Sequence, residues 1–234
     1  MRIVDNIAAL ETRISAACAS AGRRRSDVTL IAVTKTRAAA EIDEAIRTGI
    51  TQVGENRVQE AAAKKPQVAL PATWHLVGNL QTNKAKKALE LFDCIQSVDS
   101  LHLAEELQHR CSLMDKRVDV LIEVNTSGEA SKHGVSPAAL PDLVAQMPKL
   151  DRLQLAGLMT IGPGLAIEDP EASRPCFKAL RALAAACRQR FSIPLPHLSM
   201  GMSSDFEVAI EEGATMIRVG TAIFGQRSVP VKPE

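Results

Sequence analysis

Short apolar runs alternate with amphipathic stretches along the whole chain. The first run, residues 28–34 (VTLIAVT), is nearly continuous and rich in β-branched residues. Such a run predicts a strand that is buried on both faces, as the strands of parallel sheets are. Comparable segments recur seven more times, at residues 52–54, 73–78, 94–98, 118–125, 155–160, 197–200 and 216–219.

Helical periodicity separates most of these runs. Ile3, Ile7, Leu10, Ile14 and Ala17 recur at spacings of three and four, which predicts an amphipathic helix over residues 3–21, before the first strand. Further helices are predicted at residues 38–48, 56–65, 82–91, 100–113, 137–147, 171–190 and 204–212.

This order of elements predicts an α/β fold. Strands that alternate with helices form parallel βαβ units, and eight such units in about 250 residues match a closed (β/α)₈ TIM-type barrel. The helix before the first strand is extra. An open doubly wound sheet is the alternative, but no Gly-x-Gly-x-x-Gly motif follows the first strand. No linker-like tract interrupts the sequence, so residues 1–234 are expected to form a single domain, with residues 162–170 as a loop at the barrel mouth.

Composition excludes several classes of protein. Lys and Arg total 28 and Asp and Glu total 27, and this balance argues against a nucleic-acid-binding protein. The chain has one Trp, five Phe and no Tyr, so we expect neither base stacking on aromatic side chains nor a tyrosine acid or base. No apolar run approaches the ~18 residues that span a membrane, and the N-terminus lacks the apolar region of a signal peptide.

The cysteines point to a reducing compartment. The chain has five, and none belongs to a Cys-x-x-Cys pair, so neither a zinc site nor a redox motif is expected. Their odd number also argues against a disulfide framework. We therefore expect reduced thiols in a soluble cytoplasmic protein that binds neither nucleic acid nor membranes. The sequence shows no cluster of metal ligands, and no metal is expected.

Lys35 directly follows the first predicted strand. Active sites of such barrels lie at the carboxyl ends of the strands. An ammonium that is partly removed from water loses its proton more readily, and the neutral amine attacks a carbonyl to form a Schiff base. The alternative is a lysine that reaches solvent or pairs with Glu55 or Asp99, and position alone does not decide between the two.

A second set of candidates follows the seventh and eighth strands. Residues 199–207 contain small and hydroxyl side chains and open a helix, where Ser204 and Glu207 fit a capping box. Gly220 permits the backbone to approach a ligand closely, and Thr221 adds a hydroxyl group as a hydrogen-bond donor. Each segment alone is typical of an ordinary capped helix or turn. Together, at the usual phosphate site of this fold and opposite Lys35, they favour a phosphorylated aldehyde cofactor.

Three further residues lie on or after other strands. Arg218, in the last strand, would face a pyridine nitrogen or form a buried ion pair with a carboxylate. An arginine would not keep that nitrogen protonated, so the ring would support carbanion chemistry poorly. Asn56, after the second strand, is a candidate for the cofactor pocket. His75 is expected to be a buried, hydrogen-bonded histidine rather than a catalytic base.

Six segments together resemble a known family. They are IAVTKT (31–36), GENRVQE (54–60), WHLVGNLQTNK (74–84), GLMT (157–160), LSMGMSSD (198–205) and RVGTAIFG (218–225). With these motifs, nearly the whole chain is similar to the pyridoxal phosphate homeostasis proteins, which bind pyridoxal 5′-phosphate (PLP).

The resemblance implies a barrel like the N-terminal domain of alanine racemases, which is fold type III among PLP proteins. It implies that Lys35 holds PLP as an internal aldimine and that Arg218 faces the pyridine nitrogen. Lys132 matches a loop lysine that the family places near the cofactor. Arg57 is a departure, since the family more often has tyrosine there. The implied phosphate cradle consists of Ser199, Met200, Ser203, Gly220 and Thr221.

The function that the resemblance implies is to bind, carry or buffer PLP without catalytic turnover, with PLP-dependent apoenzymes as candidate recipients. The alternative is a PLP-dependent amino-acid racemase or related isomerase. Two-base racemisation needs an acid or base on each face of the substrate carbon. Related racemases take the second, a tyrosine, from a C-terminal β-domain, and we expect neither in this chain, which favours a monomeric carrier. A cofactor-free Schiff-base aldolase is a third, weaker alternative.

Overall fold

Eight parallel strands close into a barrel in the computed structural model, which describes residues 2–226. The strands follow one another round the barrel in chain order, and the eighth pairs with the first. The predicted fold class is therefore confirmed. The strands are β1 (Thr29–Val33), β2 (Gln52–Glu55), β3 (Thr73–Leu76), β4 (Cys94–Val98), β5 (Val118–Glu123), β6 (Leu153–Met159), β7 (His197–Ser199) and β8 (Met216–Val219).

All eight predicted helices are present. They are α1 (Ile3–Ser20), α2 (Ala39–Arg47), α3 (Val58–Lys64), α4 (Ala85–Leu91), α5 (Leu101–Leu113), α6 (Leu140–Gln146), α7 (Arg174–Phe191) and α8 (Phe206–Glu211). A further helix, α9 (Thr221–Phe224), is a single turn, which is too short to show a periodic pattern in the sequence. Within residues 2–226, no helix is long and apolar enough to cross a membrane.

Side chains of the strands point alternately into two apolar regions. Those that face outward pack beneath the helices, and this region forms the larger core. A smaller apolar cluster occupies part of the barrel interior. Its members are Ile31, Cys94, Leu121, Ala156, Met159 and Met216. All five cysteines lie within the described residues and are buried and unpaired.

The N-terminal helix α1 packs against α2, α8 and α9. Its buried face includes Ile7, Leu10 and Ile14, in agreement with the predicted periodicity. Asn6 Nδ2 donates to the C=O of Ile223 in α9 at 2.8 Å. The extra helix is therefore joined to the elements that follow the last two strands, where the predicted phosphate site lies.

The predicted capping box at Ser204 and Glu207 is wrong. A tight turn precedes α8, so that Asp205 rather than Ser204 is its N-cap residue. Asp205 Oδ1 accepts the N–H of Met202 at 2.7 Å. Glu207 is then the second helical residue rather than the third, and it pairs with Arg13 of α1 at 2.6 Å. The carboxylate of Asp205 therefore fixes the turn itself rather than the first turn of the helix.

Candidate functional site

A cavity of about 470 Å³ opens at the carboxyl ends of the strands. This volume lies within the range of small-molecule sites. Residues that follow β1, β2, β7 and β8 meet in it, although they are far apart in the sequence. Six of the eight predicted site residues line it, namely Lys35, Asn56, Ser203, Arg218, Gly220 and Thr221.

Part of the cavity wall lies outside the eight predicted site residues. Val33 and Val77 provide apolar surface, as does Ile161, and Arg37 adds a second cation beside Lys35. Ile167 comes from the loop after β6, which the sequence placed at the mouth. The sequence indicates Val33, Val77 and Ile161 only by their position at or just after the end of a strand. The remaining lining residues are Met202 and Ser204.

Hydroxyl groups and a glycine gather at one end of the cavity. Ser203 follows β7, and its Oγ accepts the N–H of Ala222 at 3.3 Å, which joins the segment before α8 to α9. A Cβ on Gly220 would lie 3.1 Å from the C=O of Val33, so glycine lets the end of β8 approach β1 closely. Hydroxyl and backbone N–H donors bind phosphate oxygens well, so this end of the cavity suits a phosphate group.

Arg218 is a buried cation in the wall of the cavity. Its Nη1 donates to Ser199 Oγ at 2.6 Å, and its Nη2 donates to the C=O of Thr160 at 2.8 Å. Burial lowers the pKa of Arg218 to about 10, although the nearby Glu123 carboxyl opposes this shift. The guanidinium remains charged at neutral pH, and a hydroxyl and a carbonyl fix its orientation.

A chain of hydrogen bonds continues from Arg218 through the barrel interior. Ser199 Oγ donates to Gln96 Oε1 at 2.6 Å, and Gln96 Nε2 donates to His75 Nδ1 at 3.1 Å. His75 Nε2 lies 2.7 Å from Gln52 Oε1. Because an amide nitrogen only donates, the network assigns the proton of a neutral His75 to Nε2. Burial lowers the pKa of His75 to about 4, which agrees with this assignment and confirms it as a buried, hydrogen-bonded histidine.

Two of the predicted site residues do not line the cavity. The side chain of Ser199 is fully buried and contacts Arg218 instead, whereas Met200 lies in the larger core. Lys132 is also outside the lining, and its Nζ donates to the C=O of Gly162, which connects two loops of the mouth. Arg57 lies in an adjoining polar cleft of about 440 Å³ that shares Asn56 with the cavity.

Comparison with known proteins first places the chain in a class of barrel. A family model described as the alanine racemase N-terminal domain matches residues 6–228. A solved alanine racemase from Clostridium difficile 630 has a TM-score of 0.75 at 12% identity, covering 97% of this chain and 58% of that one. At this low identity the likeness shows the fold alone, which is that of the racemase barrel domain.

Closer relatives identify the family within this class. The pyridoxal phosphate homeostasis protein of Aquifex aeolicus is 43% identical over 97% of this chain and 99% of the relative. That of Pseudomonas aeruginosa is 42% identical over 96% of each chain. The structure of PipY from Synechococcus elongatus PCC7942 with PLP bound is 39% identical, with a TM-score of 0.83, covering 96% of this chain and 100% of that one. The chain belongs to the pyridoxal phosphate homeostasis protein family, as its motifs predicted.

Proposed function

We propose that this protein binds PLP at the barrel mouth and buffers or carries it, without substantial catalytic turnover. One observation carries the proposal: Lys35 lines the same cavity as Arg218 and the hydroxyl-rich end at Ser203 and Thr221. A phosphorylated pyridine aldehyde needs an amine, a partner for the ring nitrogen and a site for its phosphate, and these residues supply all three. The names of the homeostasis relatives and the PLP bound to PipY support the same ligand.

In this proposal, each lining residue has a defined role. The Lys35 amine holds PLP as an internal aldimine, in which its nitrogen bonds to the aldehyde carbon and the aldehyde oxygen leaves as water. Arg218 faces the ring nitrogen, and Asn56 lies beside the ring. Ser199 acts indirectly, by holding Arg218. Ser203, Ser204, Gly220 and Thr221 bind the phosphate.

Arg218 supports a carrier rather than a racemase. With a pKa of about 10 it donates a hydrogen bond at neutral pH, which leaves the ring nitrogen unprotonated and the ring a weak electron sink. Racemisation also needs an acid or base on each face of the substrate carbon, and the 234 residues contain no tyrosine. We therefore propose a function of binding and release, with PLP-dependent apoenzymes as recipients.

The proposal extends to location and assembly. Five buried, unpaired thiols support a reducing compartment such as the cytoplasm. We propose a monomer formed by one domain, with the cavity open to the recipients of PLP. Sedimentation equilibrium is expected to give the mass of one 25.1 kDa chain.

Peptide mapping tests the covalent attachment. Borohydride reduction of the PLP-loaded protein is expected to leave a phosphopyridoxyl group on Lys35. Lys35→Ala should keep the circular dichroism of the wild type and lose the yellow colour, because the amine that binds the aldehyde is gone. Lys86→Ala, which removes an exposed lysine, is the matched control and should stay yellow. Modification of another lysine while Lys35 remains unmodified would contradict the proposed attachment.

A racemisation assay separates the carrier from the enzyme. The PLP-loaded protein, incubated with a panel of free L-amino acids, is expected to produce no more D-isomer than free PLP does. Robust racemisation that disappears in Lys35→Ala would overturn the carrier function and favour the racemase.

A further inference from the structure

The turn that presents Lys35 contains a strained residue. The N–H of Arg37 donates to the C=O of Thr34 at 3.0 Å, which closes a four-residue turn with Lys35 and Thr36 at its centre. Thr36 has a φ of 66°. This left-handed conformation is unfavourable for a β-branched side chain, and the corresponding position of such turns usually holds glycine. Strain of this kind persists only where the surroundings enforce it.

A buried lysine binds the first peptide group of this turn. Lys64 Nζ donates to the C=O of Thr34 at 2.7 Å. It also donates to Glu55 Oε1 at 2.7 Å and to Glu60 Oε1 at 2.8 Å. An ammonium has three N–H donors, and these three acceptors use all of them. With a side chain only 9% exposed, Lys64 is held in one arrangement.

The two carboxylates bind the turn as well. Glu60 Oε1 accepts the N–H of Thr36, on the far side of Lys35. Glu55 Oε1 accepts Thr34 Oγ1–H at 2.6 Å, on the near side. The backbone is therefore held immediately before and immediately after Lys35 by one connected cluster. Glu60 and Lys64 can act together because they lie one helical turn apart on α3.

Stability alone is a poor explanation of this cluster. The free energy lost when charges are removed from water is about as large as the attraction between them, so a buried ion pair is weak evidence of stabilisation. Glu55 Oε2 is buried without a hydrogen-bond partner within residues 2–226, which adds to that cost. Burial also raises the pKa of Glu55, despite the opposing effect of Lys64. The cluster surrounds the backbone of Lys35, and this position indicates a role in orienting that residue.

We propose that Glu55, Glu60 and Lys64 form a positioning clamp that keeps Lys35 directed into the cavity for covalent attachment to PLP. The proposal rests on the function proposed above. The clamp holds Thr36 in its left-handed conformation, and this conformation turns the chain so that the Lys35 side chain lines the cavity. None of the three residues lines the cavity itself, so they act on Lys35 and not on PLP.

Glu60→Ala is the first test, because the Glu60 side chain is 24% exposed and its removal leaves Lys64 paired with Glu55. The rate of PLP attachment is followed by the growth of its absorption band. The dissociation constant for pyridoxine 5′-phosphate, which has the ring and phosphate but no aldehyde, reports the cavity alone. We expect attachment to slow by about tenfold while that dissociation constant changes by less than about twofold.

A second substitution tests the role of strain. Glycine adopts positive φ without steric cost, so Glu60→Ala combined with Thr36→Gly should recover attachment to within about threefold of the wild type. Glu106→Ala removes a comparable i,i+4 ion pair, with Arg110 of α5, and serves as the control that should change neither measurement.

The outcomes separate the clamp from the function on which it rests. An unchanged attachment rate in Glu60→Ala would overturn the clamp, as would an equal loss of pyridoxine 5′-phosphate affinity, which would indicate damage to the cavity. Failure of glycine to restore attachment would also overturn it. If the wild type binds pyridoxine 5′-phosphate but never attaches PLP at Lys35, the proposed function itself fails.

Discussion

Single side chains inside the barrel determine how Arg218 is presented to the cavity. In the chain from Arg218 through Ser199, Gln96 and His75 to Gln52, each donor points away from Arg218. This direction requires a neutral His75 whose Nδ1 accepts. A protonated His75 would place a second donor opposite the Gln96 amide, which would have to reverse and break the order at Ser199. At the residue scale, the orientation of Arg218 is therefore linked to the protonation state of a histidine outside the cavity.

The lowered pKa of His75 also predicts how the stability of the protein depends on pH. The pKa of His75 falls from 6.5 to about 4 on folding, so between these pH values the unfolded state binds the proton and the folded state does not. The stabilisation is fully present above pH 6.5 and is lost as the pH falls towards 4. The difference in unfolding free energy between the wild type and His75→Gln should therefore shrink by about 3 kcal/mol from pH 7 to pH 4, as measured by urea unfolding.

The wild type must be compared with His75→Gln because a second buried group, Glu123, changes the stability with pH in the opposite direction. Burial raises the pKa of Glu123 to about 7, so its contribution to stability falls as the pH rises from about 4.5 to 7. In the wild type, the effects of His75 and Glu123 on the pH dependence of stability partly cancel. The effect of Glu123 is the same in both proteins, so it drops out of their difference. A difference between the proteins that stays constant across this range would show that His75 titrates normally in the folded state.

At the scale of elements, α1 supports the part of the barrel that carries the phosphate end of the cavity. Arg13 pairs with Glu207 of α8, and its guanidinium lies 4.7 Å from the centre of the Phe206 ring. Asn6 Nδ2 donates to the C=O of Ile223 in α9. Because α8 begins three residues after Ser203 and α9 directly follows Gly220, loosening of α1 should reach the cavity through these two short helices.

Truncation of the buried face of α1 tests this support. Ile14 is 0% exposed, so Ile14→Ala should lower the free energy of unfolding by about 2–5 kcal/mol, through lost burial and the cavity that remains. Amide exchange should accelerate in α8 and α9 more than in α4 and α5. Val4, on the same helix, is 40% exposed, and Val4→Ala should change the stability by less than about 0.5 kcal/mol. Uniform acceleration in all helices would argue against a local supporting role.

At the scale of the whole molecule, the site exists only because the sheet closes. Closure brings β8 beside β1, with Arg218 in register with Ile31, and thereby places Gly220 next to Val33, at the end of the strand that Lys35 follows. Closure also demands close approach between neighbouring strands. At Gly157 in β6, an added Cβ would lie 2.0 Å from the C=O of His197 in β7.

Gly157→Ala should therefore disrupt the contact between β6 and β7. We expect a loss of at least about 3 kcal/mol in the free energy of unfolding, or failure to fold, because the clash is with backbone that cannot move without opening the barrel. Gly164→Ala is the control, since a Cβ there meets nothing within 4 Å, and it should unfold like the wild type. Equal urea midpoints for the two variants would show that the strands can separate without cost.

The sequence by itself determined the order of elements, the barrel and the placement of Lys35 at its mouth. These follow from local patterns, because a strand buried on both faces is a continuous apolar run and an amphipathic helix repeats every three to four residues. The motifs and strand ends added the family and six of the thirteen residues that line the cavity. They did not show that Ser199 and Met200 lie behind the cavity wall, since a local motif does not record which side chains at the end of a strand face the cavity.

Only the tertiary structure decided which partners hold the functional side chains. Lys64 reaches the C=O of Thr34 across 30 positions, and Ser199 reaches Gln96 across 103. Similarly, α8 begins after Asp205 rather than after Ser204, because the Asp205 carboxylate accepts the N–H of Met202 and closes a turn before the helix. Such contacts form only between residues that the closed barrel brings within hydrogen-bond distance. The distance between two residues in space cannot be predicted from their separation along the chain.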